Sequence, residues 1–305
     1  MSNTIEKALQ RKKAAELEAK NIQQDNDGTS DIEEKESAAP VGATSTPVNT
    51  SPPQNNANRK CIDIDVGALE KAGFVTLHTA RTQINEEYRE IKRKLLANAF
   101  GALSQTINNS NIIMVTSARP SEGKTFTAVN LAMSIAAEQD KRVLLVDADV
   151  LKPNVLKTFG VNERSGLIEY LLGEVGELGD VMYHTNIEKL TIIPAGRSHH
   201  LSTELLASKV MHDTINEFSN RYPDRVVIID TPPIIGINES AILANFAGQA
   251  VVVVEENRSK LTDLQRSVER LNPEMAIGFV VNKALNSSES VGYYGYHYYG
   301  YGKGK

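Results

Sequence analysis

Apolar residues in this chain gather into short runs set between polar stretches. Six runs stand out: "NIIMVTS" from Asn111, "RVLLVDAD" from Arg142, "KLTIIPAG" from Lys189, "RVVIIDTPP" from Arg225, "QAVVVVEEN" from Gln249 and "MAIGFVVNK" from Met275. Within each, apolar residues follow one another instead of alternating, which predicts strands buried on both faces. The intervening segments change period. Ile84, Tyr88, Ile91, Leu95 and Ala99 recur at helical spacing over Thr82–Phe100, with Glu86, Arg89, Glu90 and Arg93 on the other face. Val129, Ala132, Met133 and Ala136 predict a helix starting at Lys124, and Thr203–Arg221 and Leu261–Leu271 predict two more. Strands alternating with helices predict an α/β fold, a mainly parallel sheet covered by helices on both faces. One domain over 61–286 accommodates it, its regular alternation beginning near residue 80.

The ends differ in character. Residues 1–21 favour a short helix, with Asn3 as cap and Glu6 three positions on, but the apolar stripe of Ile5, Ala8 and Leu9 is thin. Residues 22–60 are rich in Asn, Asp, Glu, Ser, Thr and Pro and nearly free of large apolar side chains, which predicts a disordered linker. Residues 287–305 end in "VGYYGYHYYGYGKGK", holding Tyr293, Tyr294, Tyr296, Tyr298, Tyr299 and Tyr301, six of the chain's ten tyrosines. The interspersed glycines predict a flexible tail.

Composition narrows the function. A net charge of −5 over 305 residues gives no general reason to bind nucleic acid, which usually calls for a basic surface, so none is expected as a partner. The one cysteine, Cys61, excludes a disulfide framework or a cysteine-built metal site within the chain. No run reaches the roughly 18 apolar residues of a membrane span, and the charged first thirty residues do not form a secretory signal. The expected location is the cytoplasm.

The chemistry is carried by "ARPSEGKT", Ala118–Thr125, which fits A-x-x-x-x-G-K-T between a strand and a helix. Backbone N–H groups of such a loop, and the positive end of the helix, suit phosphate oxygens. Pro120, Ser121, Glu122, Gly123, Lys124, Thr125 and Phe126 are the candidate nucleotide contacts. Lys124 would reach the terminal phosphates and the Thr125 hydroxyl would ligate Mg²⁺. Asp147 and Asp149 end the next strand and Asp230 a third, where strand ends open onto the ligand crevice. Carboxylates this close are costly unless a cation or a proton separates them, and Mg²⁺ would supply the cation. ATP with Mg²⁺ is therefore the expected pair. Position alone does not rank the three acids.

The order "SARPSEGKT", "VLLVDADVLKP", "IIPAGRSHHLSTELLAS", "VVIIDTPPI" resembles the P-loop branch that holds partitioning ATPases and bacterial tyrosine kinases. Partitioning ATPases carry a lysine five residues before the loop lysine, where this chain has Arg119, and the nitrogenase reductase relatives need cysteines after the loop. With its D-x-D motif and tyrosine tail the chain resembles bacterial tyrosine autokinases, most of all the cytosolic type of exosortase-linked exopolysaccharide clusters. That resemblance implies Asp147 as the base, with Lys124 and Asp149 also catalytic, and Thr125, Asp149 and Asp230 around Mg²⁺. It implies Asn282, after "GFVV", as an adenine contact, the alternative being a simple turn. It also implies an E-x-x-R-x-x-R interface of a homo-oligomeric ring, met by Glu86, Arg89 and Lys92 with Arg93 adjacent, and an activating transmembrane polysaccharide co-polymerase that would hold the protein at the inner membrane face. Leu151 stands where the family often has arginine. His199 and His200 read as surface residues.

A phenol with pKa near 10 needs a base and a charge-spreading metal to attack a phosphate. From Asn282 to Tyr301 an extended chain reaches at most roughly 65 Å, enough to enter a neighbouring subunit. The expectation is an ATP-dependent autokinase acting on its own tail in trans. The alternatives are a partitioning-type switch ATPase and a scaffold with a degenerate site.

Overall fold

The computed structural model describes residues 60–76, 82–221 and 224–284. The expected N-terminal helix, the linker up to residue 59 and the tyrosine tail lie outside the described residues.

Eight strands form one sheet: β1 (Cys61–Ile62), β2 (Ile112–Ser117), β3 (Arg142–Asp147), β4 (Tyr183–Thr185), β5 (Leu190–Ile193), β6 (Arg225–Asp230), β7 (Gln249–Glu255) and β8 (Ala276–Asn282). Their order is β1-β4-β5-β3-β6-β2-β7-β8. Pairing is parallel except between β4 and β5. All six anticipated strands are present. The two that periodicity did not predict, β1 and β4, are two and three residues long, too short to display a repeat.

The consecutive apolar runs arise because both faces of the sheet are covered. Ile113, Val115, Val143, Leu145, Val226, Ile228, Val251 and Val253 belong to one core. Their neighbours Ile112, Met114, Leu144, Val146, Val227, Ile229, Ala250 and Val252 belong to the other. The edges differ. β8 is outermost on one side, with Phe279 51% and Val281 58% exposed, while the opposite edge is the two-residue β1.

The first core lies under α1 (Val66–Lys71), α2 (Gln83–Phe100) and α3 (Lys124–Ala136). Thr82 caps α2, its hydroxyl accepting the Asn85 N–H, and Tyr88, Leu95 and Ala99 are buried. Almost all of α3 is buried. Its Asn130 accepts the Val75 N–H at 2.7 Å and donates to the Phe126 carbonyl at 2.9 Å. Burial pushes the Tyr88 phenol up to about 12, against the weaker downward pull of the neighbouring Thr127 and Asn130 side chains.

The other core lies under α5 (Leu167–Leu171), α6 (Ser202–Leu206), α7 (Lys209–Asn220), α8 (Asn238–Ala244) and α9 (Leu261–Glu269), while the short α4 (Val155–Thr158) packs with the first. The single helix predicted over 203–221 is two helices. Ser208 breaks it, because its hydroxyl accepts the Met211 N–H at 3.2 Å and starts α7 afresh.

Candidate functional site

From β2 the chain crosses to β3 on one side, and from β6 it crosses to β7 on the other. This reversal leaves the carboxyl ends of β2, β3 and β6 side by side, the place where open α/β sheets bind ligands. The loop Ala118–Gly123 leaves β2 there, and α3 begins at Lys124. Gly123 has φ +104°, and a β-carbon on it would lie 1.9 Å from the Asn282 amide nitrogen. Only glycine fits that combination. No side chain caps α3, which leaves its first-turn N–H groups for an anion.

The strand register sets the acids. Asp147 of β3 is paired directly with Asp230 of β6, two acidic residues on neighbouring strands whose backbones run roughly 5 Å apart. Asp230 accepts the Thr125 hydroxyl at 2.6 Å, and its other oxygen is buried without a hydrogen-bond partner. Asp149 lies 3.6 Å from the buried Lys124 ammonium and accepts the Lys152 N–H at 3.1 Å. Asp147 accepts three backbone N–H groups, from Asp149 at 3.2 Å, Asn154 at 3.1 Å and Val155 at 3.0 Å.

Burial governs how these acids titrate. It pushes Asp147 up to about 7, against the opposing backbone hydrogen bonds. Burial, then the charge of Asp147, holds Asp230 well above the usual carboxylate range. Asp149 is raised by burial and pulled back by Lys124. Three acids thus face one close ammonium, and one carboxylate oxygen lacks a partner. That oxygen set fits Mg²⁺, a hard cation held by one or two carboxylates with substrate phosphates completing its shell. Among the described residues there is no group of three His, Cys, Asp or Glu side chains that could hold a metal ion.

The loop is braced from its other side. Arg119 forms a two-point pair with the buried Asp263 of α9, at 2.7 and 3.1 Å, and the arginine holds that carboxyl below its ordinary range. Glu122 is buried and accepts the Arg119 N–H at 2.7 Å and the Ser259 hydroxyl. Asn282 donates to the Glu122 carbonyl at 2.9 Å and Lys283 to the Ser121 carbonyl at 2.8 Å. The sequence reading missed Asp263, Ser259 and Lys283. None of the three left a trace: Asp263 is buried together with Ser267, off the stripe that Leu264, Val268 and Leu271 mark in the sequence.

The remaining anticipated residues fall as follows. Pro120 and Ser121 are exposed, and Phe126 packs against Phe74 with ring centroids 4.8 Å apart. His199 and His200 stack on each other at 4.4 Å outside the site's hydrogen-bond set, and Leu151 is 49% exposed two residues beyond Asp149. Glu86 and Arg89 form an exposed pair. Lys92 does not stand with them. It is buried, donating to the Ser134 carbonyl at 2.8 Å and pairing with Glu138 at 2.6 Å. Six residues advance a helix by 600°, so Lys92 lies about 120° around from Glu86. The exposed basic residue that continues the Glu86–Arg89 face is Arg93, beside Glu90.

A family profile described as "AAA domain" matches residues 110–275. The tyrosine-protein kinase YwqD of Bacillus subtilis is 30% identical over 232 residues, 75% of this chain and 94% of the relative. The tyrosine-protein kinase wzc of Salmonella typhimurium is 33% identical over 214 residues, 70% of this chain; the match spans only 29% of that longer protein. Among solved structures, the kinase domain of Escherichia coli tyrosine kinase ETK superimposes with a TM-score of 0.57 at 26% identity, covering 79% of this chain and 94% of that one. None of the described helices is long and apolar enough to cross a membrane.

Proposed function

The chain belongs to the bacterial tyrosine-protein kinase family, and from that premise we propose that it is an ATP-dependent autokinase. It transfers the γ-phosphate of ATP to the tyrosines Tyr293–Tyr301 of a neighbouring copy. Carrying the reading is one observation: the loop lysine and threonine each engage an acidic strand end, Lys124 on Asp149 at 3.6 Å and Thr125 on Asp230 at 2.6 Å.

In this reading the N–H groups before α3 and the Lys124 ammonium hold the phosphates. Thr125, Asp149 and Asp230 hold Mg²⁺, which when bound spreads the charge of the phosphoryl group in transit. Asp147 is the base. A carboxylate has about four lone-pair positions; three take backbone N–H groups and fix its orientation, and one is left for a phenol. With its pKa near 7 it exchanges protons at neutral pH. The bond from phenol oxygen to γ-phosphorus forms as the bond to the departing ADP oxygen breaks, and the phenolic proton passes to Asp147.

The resemblance in the sequence motifs extends the reading to a role in exopolysaccharide production, regulated through a transmembrane co-polymerase at the inner membrane face and through a homo-oligomer; the relatives' names support the kinase activity alone. In this reading Glu86 and Arg89, with Arg93 on the same exposed face of α2, would meet a second copy. Incubation of the chain with labelled ATP tests the chemistry. Label on the tail peptide, lost in Lys124→Met, is expected; free phosphate without labelled tyrosine would make the chain a switch ATPase instead.

A further inference from the structure

The adenine contact anticipated for Asn282 has a rival in the geometry. Its amide does not lie free at the mouth of the site; Nδ2 donates to the Glu122 carbonyl, and the amide fills the space beside Gly123. The next residue repeats the arrangement, Lys283 Nζ donating to the Ser121 carbonyl while pairing with Glu255 at 3.1 Å. Glu255 is in turn held by Arg258 at 3.1 Å. Lys283 has φ +56°, a conformation that a residue with a side chain adopts only when its surroundings enforce it.

Two consecutive carbonyls of the phosphate loop are thus tied on one side. In a trans peptide the C=O and the following N–H point in opposite directions. Binding the Ser121 carbonyl aims the Glu122 N–H away from Lys283, and binding the Glu122 carbonyl aims the Gly123 N–H away from Asn282. Neither N–H has a protein acceptor among the described residues. Successive N–H groups turned to one side form an anion-binding concavity.

Resting on the reading of this loop as a nucleotide site, we propose that Asn282 and Lys283 are positioning residues for phosphate binding. They grip the loop from behind so that the Glu122 and Gly123 N–H groups are pre-aimed at a bound diphosphate. The grip is also where the chain leaves β8, so the segment carrying the acceptor tyrosines is rooted on the loop that holds the donor; Tyr293 is ten residues beyond Lys283.

The test is calorimetric binding of Mg-ADP and of Mg-pyrophosphate to the full chain and to Lys283→Met, Lys283→Arg and Asn282→Ala. Loss of a hydrogen bond from a charged donor predicts about tenfold weaker binding for Lys283→Met, with a smaller loss for Asn282→Ala. Lys283→Arg restores most of it. The Asn282→Ala loss should be the same for pyrophosphate as for ADP, the KM for ATP should rise with kcat nearly unchanged, and nucleotide-free melting should move little. Wild-type affinity in Lys283→Met, or a loss in Asn282→Ala confined to ADP, overturns the proposal; the second outcome assigns Asn282 to the base. The two readings fail separately. A wild type that binds ADP but never labels its tail sinks the kinase reading alone, and a labelled tail with unchanged binding by Lys283→Met sinks the grip alone.

Discussion

Burial of Asp147, Asp149 and Asp230 beside the single ammonium of Lys124 should make the nucleotide-free chain less stable as pH rises through neutrality. Asp147 titrates at about 7 in the fold against 3.8 for an ordinary aspartate. Between those values the folded chain keeps a proton that the unfolded chain has released. The stabilisation this group brings is complete below about pH 4 and is lost as pH rises through 7. From pH 5 to pH 7.5 the loss spans roughly two pH units at about 1.4 kcal/mol each, on the order of 3 kcal/mol. Acids held below their ordinary range behave oppositely. Asp263, beside Arg119, and Glu255, where burial is outweighed by Lys283 and Arg258, lose their contribution only as pH falls below about 4.5. The chosen window therefore isolates the raised carboxylates. For a domain of this size 1 kcal/mol moves the melting temperature by about 2–4 °C, so a fall of about 6–12 °C is expected. The assay is a series of calorimetric melts at constant ionic strength without divalent cations. Asp230→Asn removes one of the crowded charges and keeps an acceptor for the Thr125 hydroxyl; it should flatten the slope and melt above wild type at pH 7.5. Mg-ADP at a hundred times its Kd adds about 2.7 kcal/mol and should do more at pH 7.5 than an equal amount does at pH 5. A melting temperature that is flat or rising from pH 5 to 7.5, or an Asp230→Asn chain no more stable than wild type at pH 7.5, refutes the reasoning.

Gly123→Ala puts a methyl against the Asn282 amide at φ +104°, and should weaken ADP binding about tenfold or more in a calorimetric titration. Lys92→Met strands the Ser134 carbonyl and Glu138; about 1–3 kcal/mol should be lost in denaturant unfolding, with the mass by light scattering unchanged. The double change Arg89→Ala, Arg93→Ala should do the reverse, lowering the assembled mass while the melt stays within a few degrees. If tails are phosphorylated between copies, the initial rate of label per molecule rises with protein concentration; a concentration-independent rate would mean each chain labels itself.

The sheet was legible because doubly covered strands leave consecutive apolar residues, a signal that survives without knowing what covers them. β1 and β4 carry no such signal, being too short to repeat. The position of the loop was legible because glycine, lysine and threonine are each needed there for separate reasons. The acids at the ends of β3 and β6 were legible as residues, but their pairing across the ladder and the lone oxygen of Asp230 depend on strand order, which no local pattern states. Lys92 was misplaced because a motif counted in steps of three drifts around a helix turning every 3.6 residues. The bracing by Ser259, Asp263, Asn282 and Lys283 joins segments more than a hundred residues apart. Such contacts arise from tertiary packing.

The unequal borders of the sheet limit how it could be extended. The row of backbone groups along the outside of β8, flanked by Phe279 and Val281, is long enough to accept a newcomer, whereas the stub at β1 offers almost nothing. Among the described residues, growth by strand addition is therefore one-ended. Two molecules meeting β8 to β8 about a twofold axis would consume both open borders at once, so stacking by this route terminates at a pair and does not run on into a filament.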